Sequence, residues 1–356
     1  MKLYTAVNQN MTMRQILKQK LSTFPIVWST YQVVKVQVKR LWLLTYFLRD
    51  IINVYRNMYW PLHLKSNSQL TSELLFQFHK IEKGLVMPGP RRFFGQEPAR
   101  AVINLLNAWD LKGLPLGDPV YLGALETLHA YKERLQSESL DKDDKVLSYV
   151  QSFLINHPTR TRLLATPHQL VSMNSDIASN PHRFDELVSI RRSVRSFTSM
   201  EVPREIIKHA VGLAQLSPSA CNRQPCRVYL ITDDIKKNAL LALQNGNNGF
   251  GHSIPALAVI TSDSAAFFDA SERHEPYVDG GLFSMTLMYA LSAHGLATCC
   301  LNWCVSPDKD VALRNILPLA DSEVVIMLMA IGYPEPNVLV PRSPRKSTDN
   351  VLIEVF

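Results

Sequence analysis

The segment SPSACNRQPCR, residues 217–227, places Ser, Pro, Asn, Gln and two Cys directly before a strand-like run, RVYLIT (227–232). Ser, Pro and Asn are typical turn residues, and turns of this composition also expose backbone and side-chain groups that bind ligands. Two interpretations follow from the composition alone. The segment is either an ordinary surface loop or a loop that lines a bound ligand.

Around this segment, the C-terminal half mixes helical and strand patterns. Pro203 is well placed to open a helix with an apolar face, and GLFSMTLMYALSAHG (281–295) predicts a helix that stops at Gly295. ALAVIT (256–261) and EVVIMLMAIGY (323–333) predict strands, the second covered on both faces, and the tail NVLIEVF (350–356) has strand character. Because no regular βαβ rhythm appears, the sequence predicts an α+β fold.

The chain before this half is mostly helical in pattern. In LLFQFHKIEKGL, Leu74, Phe78, Ile81 and Leu85 share one helix face, and Gly84 is a candidate helix end. The predicted division of the chain is a basic, aromatic-rich arm (1–65), a helical domain (66–165), a polar linker (166–183) and a C-terminal domain (184–356).

The positive charge of the protein is concentrated in the arm. The full chain has a net charge of +7, whereas residues 1–65 hold ten Lys or Arg and one acid, Asp50, which gives +9 and leaves −2 for the remainder. Basic residues interleaved with aromatics suit an anionic membrane surface, and nucleic acid is the less expected partner. The alternative is an ordinary helix with a solvated basic face. The arm contains the aromatic residues Trp28, Tyr31, Trp42, Tyr46, Tyr55, Tyr59 and Trp60.

Several classes of protein are not expected. The first residues, MKLYTAVNQN, lack the apolar core of a signal peptide, and the most apolar stretch, LWLLTYFL, is far shorter than the ~20 residues of a spanning helix. The five cysteines form no CxxC pair, so we expect reduced thiols, no metal site and a cytoplasmic protein, with peripheral membrane association left open. Gly246, Gly249 and Gly251 precede a strand, which is the wrong order for a phosphate-binding glycine loop.

A second segment, SIRRSVRSF (189–197), carries an anion-binding pattern. Arg191, Arg192 and Arg195 surround Ser193, and guanidinium groups match phosphate oxygens in geometry and charge. Taken alone, the segment is more typical of a solvated basic turn.

Five segments in order resemble the FMN-dependent nitroreductase family over about residues 184–350. They are IRRSVRSF, SPSACNRQP, DGGLFSMTLMYALSAHGLATCC, IGYPEP and PRSPRK. The resemblance implies a mixed or antiparallel sheet flanked by helices, a bound FMN, a homodimer and NADH or NADPH as electron donor. It also implies an oxidoreductase that transfers hydride through flavin N5 to or from a small organic substrate.

The same resemblance assigns cofactor contacts. Arg191, Ser193 and Arg345 are expected on the phosphate side with Arg192 beside them, and Arg195 near the pyrimidine edge of the flavin. The opening segment would line the ring, and ATCCL would offer backbone groups to its other side. The residues concerned in these two segments are Pro218, Ser219, Ala220, Asn222 and Gln224, and Thr298, Cys299, Cys300 and Leu301.

Some features depart from the family pattern or lie outside it. Cys226 stands where an aromatic residue is common and Ala220 where Ser is common, which affects substrate preference more than FMN binding. No catalytic residue is assigned, because the family often reduces substrates without a dedicated protein acid. FHKIEKGLVMPGPRRFFG (78–95) resembles an extension of nitroreductase-like proteins from bacterial surface-polysaccharide gene clusters. The alternative function is a flavin-fold binding or regulatory protein at a membrane-associated assembly.

Overall fold

The computed structural model describes residues 22–58, 66–86, 95–137, 144–157 and 182–356, apart from 342, 344 and 346. Its contacts divide the chain into two compact units, 1–55 and 56–356. Most of the predicted linker and the Arg91–Phe94 part of the FHKIEKGLVMPGPRRFFG segment lie outside the described residues. The domain boundaries drawn from the sequence stay a prediction.

The described part of the first unit is dominated by one long helix, α1 (Pro25–Asn57). At 3.6 residues per turn, its apolar side chains cover more than half of the helix circumference. Lys35, Lys39, Arg49 and Arg56 lie on the other side, whereas Arg40 lies among the apolar residues. Within the described residues, no helix combines the length and apolar character needed to cross a membrane.

Among the described residues, four helices form the N-terminal part of the second unit. They are α2 (Asn67–Val86), α3 (Gln96–Leu111), α4 (Pro119–Ser137) and α5 (Asp144–Asn156). Their apolar faces enclose one core, in which Leu74, Ile81 and Leu106 are fully buried. Asp118 caps α4 by accepting the Val120 backbone N–H at 2.8 Å. Gly84 does not end α2, which continues to Val86.

The C-terminal part of the unit is built around a four-stranded sheet. In chain order its elements are α6 (His182–Ile190), α7 (Arg204–Ala214), β1 (Cys226–Ile231), α8 (Asp234–Leu243), β2 (Ala256–Asp263), α9 (Glu275–Ala293), β3 (Ala297–Asn302), α10 (Pro307–Ile316) and β4 (Glu323–Gly332). The strand order is β1-β2-β4-β3, and all neighbours are antiparallel. Together with the helical region before it, this arrangement confirms the predicted α+β class.

Helices cover both faces of the sheet, which explains the near-continuous apolar sequence of its central strands. Leu257 and Val259 of β2 point toward α8 and α10, whereas Ala258 and Ile260 point toward α7 and α9. Helix α9 lies very close to the sheet, because a Cβ atom at Gly280 would be 2.5 Å from a side-chain carbon of Ile326 on β4.

The strand predictions are correct for β1, β2 and β4, whereas the tail is not paired with any described residue of this chain and its pairing with a second copy stays a prediction. Residues 352–356 form neither helix nor strand within this chain, and their side chains are exposed. Strand β3 was not predicted as a strand, although its residues Thr298–Leu301 were singled out as a candidate binding segment.

Candidate functional site

A cavity of about 430 Å³ lies between the end of α6, the middle of α9 and the C-terminal segment around residue 343. It brings together three of the predicted residues, Arg191, Arg192 and Arg345, although 153 positions separate Arg192 from Arg345. No carboxylate is among the described lining residues. The other lining residues are Val188, Ser189, Met285, Tyr289 and Ser343.

The arginine segment is held against the edge of the sheet. The Arg191 backbone N–H still donates to Leu187 O as α6 ends. Ser193 then forms an isolated bridge with Thr298 of β3, and the Val194 N–H donates to Thr298 O at 3.1 Å. These contacts fix the backbone that follows Arg191 and Arg192, so the positions from which the two side chains extend are defined. On the opposite wall, Arg345 Nη1 donates to Ser343 O at 2.6 Å.

Strand β3 places the ATCCL residues beside the same segment. Thr298, Cys299 and Leu301 are buried, and the Thr298 hydroxyl has no hydrogen-bond partner among the described residues. Cys300 is exposed, with its Sγ 3.2 Å from Met288 Sδ. Burial raises the pKa of the Cys299 thiol, an effect opposed by Arg195, and desolvation of the sulfur by its neighbours raises the pKa of Cys300 although part of that residue is exposed, an effect opposed by Arg191. Both cysteines are therefore protonated thiols at neutral pH, as expected for structural rather than redox groups.

The loop at residues 217–225 is conformationally unusual. Cys221, Asn222 and Gln224 have φ values of 53°, 56° and 50°, in the left-handed region that non-glycine residues seldom adopt. The loop is closed by Ser219, whose Oγ accepts the Gln224 N–H at 3.1 Å. Strained backbone of this kind persists only where the surroundings hold it, and it is frequent at ligand sites.

Asp279 on α9 holds the loop from one side. Its two carboxylate oxygens accept the Ala220 N–H at 3.2 and 3.1 Å. Burial raises the pKa of Asp279 from 3.8 to about 6, although the Ala220 hydrogen bond favours the charged form. Burial and the nearby Asp279 carboxylate also raise the pKa of Cys226 to about 12, so this thiol is not a nucleophile.

The two groups of predicted residues do not share one cavity in the single chain. Pro218, Ser219 and Gln224 line a much smaller cavity of about 30 Å³, together with Asp279 and Phe283. Helix α9 lines both cavities, with Asp279 and Phe283 at one and Met285 and Tyr289 at the other. Ala220 and Asn222 lie in the loop beside the small cavity, and Arg195 is exposed.

Sequence reasoning missed three residues that line these cavities and a fourth, Arg223, in the loop beside them. In the sequence, Met285 and Tyr289 look only like part of an apolar helix. Asp279 was not singled out, although it opens the motif DGGLFSMTLMYALSAHG. Arg223 was passed over between two polar neighbours, yet it is almost fully buried. A metal centre is not indicated: the described ranges contain no group of three or more His, Cys, Asp or Glu side chains placed to hold an ion.

Comparison with known proteins gives a consistent result for the C-terminal half. Residues 188–333 match the model of the nitroreductase family. A 4-nitrobenzoate reductase from Pseudomonas putida is 26% identical over 219 residues, which cover 46% of this chain and 91% of that protein. Human iodotyrosine deiodinase 1 is 24% identical over 209 residues, covering 51% of this chain and 71% of that protein.

Solved structures include similar chains. A nitroreductase in complex with FMN from Desulfovibrio desulfuricans is 22% identical, with a TM-score of 0.42, and the match covers 48% of this chain and 95% of that one. A nitroreductase family protein from Streptococcus pneumoniae is 20% identical, with a TM-score of 0.42 and coverage of 48% and 100%. The family match itself covers residues 188–333, less than half of this chain, and shows that this segment is similar to the nitroreductase family.

Proposed function

We propose that the protein is an FMN-dependent oxidoreductase in which the arginine cavity holds the FMN phosphate. The observation that carries this proposal is the cavity itself, where three guanidinium groups line one space without a carboxylate among the described lining residues. Like charges gathered in a partly enclosed space repel one another unless an anion neutralises them. A phosphate group supplies that charge and accepts several guanidinium hydrogen bonds at once.

The remaining residues fit the rest of the cofactor. Ser193 lies within the arginine segment and the buried Thr298 hydroxyl beside it, and the Thr298 oxygen has no hydrogen-bond partner among the described residues. Arg195 is the cation assigned to the pyrimidine edge of the flavin, where positive charge favours the reduced form. Asn222 and Gln224 belong to the strained loop assigned to the ring, together with Pro218, Ser219 and Ala220, and the β3 residues Cys299, Cys300 and Leu301 are assigned to its other side.

Bound FMN would supply hydride transfer through N5, and the chain would bind, orient and shield the reactants. NADH or NADPH is the proposed donor. For the acceptor we propose a small substituted aromatic compound, because the names of two relatives, 4-nitrobenzoate reductase and iodotyrosine deiodinase, both denote reductive reactions of aromatic molecules. Nitro reduction and reductive removal of a halide are the two candidate reactions. A role in surface-polysaccharide biosynthesis stays a prediction.

A homodimer would bring the two cavities into one site. The exposed residues Tyr277, Val278 and Leu282 give the first half of α9 an apolar surface. The exposed apolar tail, 351–356, is a second surface that a partner chain would cover. We therefore propose that each flavin site is completed by a second copy of the chain.

The N-terminal helix is proposed to bind an anionic membrane surface. Its wide apolar face includes Ile26, Leu44, Phe47 and Ile51, all at least half exposed, and the opposite side carries four cations. This arrangement is typical of helices that lie in the plane of a membrane interface. The peripheral location expected from the sequence depends on this helix.

The deciding experiment is an anaerobic titration of the purified, FMN-loaded protein with NADH and with NADPH. We expect the oxidised flavin absorbance to bleach, and reoxidation to follow addition of 4-nitrobenzoate or an iodotyrosine. A flavin that binds but is reduced by neither donor would contradict the proposed reaction and favour the binding or regulatory alternative. Protein that takes up no FMN would contradict the cofactor assignment itself.

A further inference from the structure

Arg223 is the largest fully buried side chain among the described residues, with 1% of its surface exposed. It lies within the strained loop, between Asn222 and Gln224. Its Nη1 donates to Glu272 Oε2 at 2.9 Å, and the same carboxylate oxygen accepts the Phe268 N–H at 2.7 Å. The Nε and Nη2 atoms of Arg223 have no hydrogen-bond partner in the described parts of the chain.

Aromatic rings surround this guanidinium. Its central carbon is 4.3 Å from the ring centroid of Phe268, 4.9 Å from that of Phe76 and 5.6 Å from that of Phe267. Phe76 and Phe268 also contact each other edge to face, with centroids 4.6 Å apart. A desolvated cation over aromatic faces is attracted by the ring quadrupoles, so the rings compensate for the hydrogen bonds that Arg223 does not make.

Phe76 connects the loop with the helical region, because it lies on α2 and is 147 positions from Arg223. Helix α2 makes further contacts nearby, including the Ser68 hydroxyl, which donates to the buried Asp263 carboxylate at 2.5 Å. Helix α2 therefore packs directly behind the loop that carries Cys221, Asn222 and Gln224. Asp279 holds the loop through Ala220, and Arg223 is its second anchor.

We propose that Arg223 is a positioning residue through which α2 holds the flavin loop in its strained conformation. The helical region then has a defined role: it supplies the aromatic wall that fixes this loop before any cofactor binds. The link to flavin rests on the proposed function, whereas the restraint on the loop does not. Without the Phe76 contact, the three left-handed residues would relax, and the side chains at 218–224 would lose their common orientation.

The test compares three variants, Phe76→Leu, Arg223→Lys and Arg223→Met, with the matched control Arg314→Met. Arg314 also pairs with a carboxylate, Asp310 at 2.9 Å, but lies on α10, and its other hydrogen-bond acceptors are the backbone oxygens of Ala320 and Glu323, outside the strained loop. Hydrogen exchange of residues 217–227 is measured in the flavin-free full chain, so the readout is independent of cofactor binding. The midpoint potential and visible spectrum of bound FMN are measured in parallel.

We expect Phe76→Leu to accelerate exchange in 217–227 by roughly tenfold while the core of α3 and α4 is unaffected. Arg223→Lys should retain part of the protection of the loop from exchange, and Arg223→Met should lose it. Arg314→Met should leave loop exchange unchanged once any change in the global stability of that variant is taken into account. A shifted flavin potential in Phe76→Leu would support the proposal further. Unchanged loop exchange in Phe76→Leu, or an equal acceleration of exchange in Arg314→Met, would overturn the proposal. If Arg223→Met does not fold, Phe76→Leu still provides the test.

If the protein binds no FMN but the loop exchange responds as expected, the proposed function fails and the restraint stands. If FMN binds normally and the loop exchange does not respond, the restraint fails and the proposed function stands.

Discussion

Replacement of Arg191 and Arg345 by Ala in one protein is the sharpest test of the arginine cavity. The two side chains reach the cavity from opposite walls, one from the end of α6 and one from the C-terminal segment. Neither forms a salt bridge with a described residue. Their removal should therefore leave the core intact and reduce only the affinity for an anion.

The expected magnitude follows from the number of contacts. A hydrogen bond to a charged group contributes about 1.5–3 kcal/mol, so loss of two contributes about 3–6 kcal/mol. Because about 1.4 kcal/mol corresponds to a tenfold change in dissociation constant, the variant should bind FMN roughly 10²–10⁴-fold more weakly. Most of the flavin should be lost during purification.

The assay is fluorescence titration of flavin-free protein with FMN and, separately, with riboflavin. Riboflavin lacks the phosphate, so its affinity should change little between the wild type and the variant. The control is Arg204→Ala combined with Lys208→Ala, which removes the same charge from the exposed face of α7. Retention of FMN affinity by the Arg191/Arg345 variant, or an equal loss in the control, would refute the phosphate assignment.

Three further outcomes are expected. The folded-state pKa of Asp279 is raised from 3.8 to about 6, so its negative charge destabilises the fold increasingly as pH rises through this window. Thermal unfolding should therefore show that the stability of Asp279→Asn increases by about 1–3 kcal/mol relative to the wild type between pH 4 and 7. Stability–pH curves that run parallel for the two proteins would contradict this. In liposome flotation the full chain should bind anionic vesicles in a salt-sensitive manner, and Phe47→Ser should bind them more weakly. Equal binding by a protein that starts at residue 66 would show that the arm is not the membrane-binding segment. Light scattering should find a dimer that is weakened by deletion of 350–356, and a monomer that retains FMN would contradict a shared site.

The sequence predicted secondary structure correctly where the local residue pattern matches the burial of the element in the fold. β2 and β4 are central strands covered on both faces, so their long apolar runs predicted them directly. Pro203 marks the start of α7 because its effect on backbone geometry is local. The tail shows the limit of local patterns: alternation of side chains indicates strand character, but a strand also needs a neighbour, and the described part of this chain does not provide one.

The parts that could not be predicted depend on distant segments. Arg223 reads as a surface residue, because nothing near it in sequence shows that three phenylalanines enclose it. The pKa of Asp279 depends on burial beneath a loop more than 50 positions earlier in the chain. Arg191, Arg192 and Arg345 were assigned to one group by resemblance; the structure places them around one cavity, and their role in binding FMN stays a prediction.

The close approach of Gly280 to Ile326 has a consequence for how this protein tolerates sequence change. Even an alanine at position 280 would force α9 away from β4 or displace Ile326, since its Cβ would stand 2.5 Å from a side-chain carbon. Helix α9 contributes Asp279 to one cavity and Tyr289 to the other, so a single methyl group would reshape both at once. In a library of random variants, position 280 should accept glycine almost exclusively, and any rescuing second change should map to a smaller residue at 326.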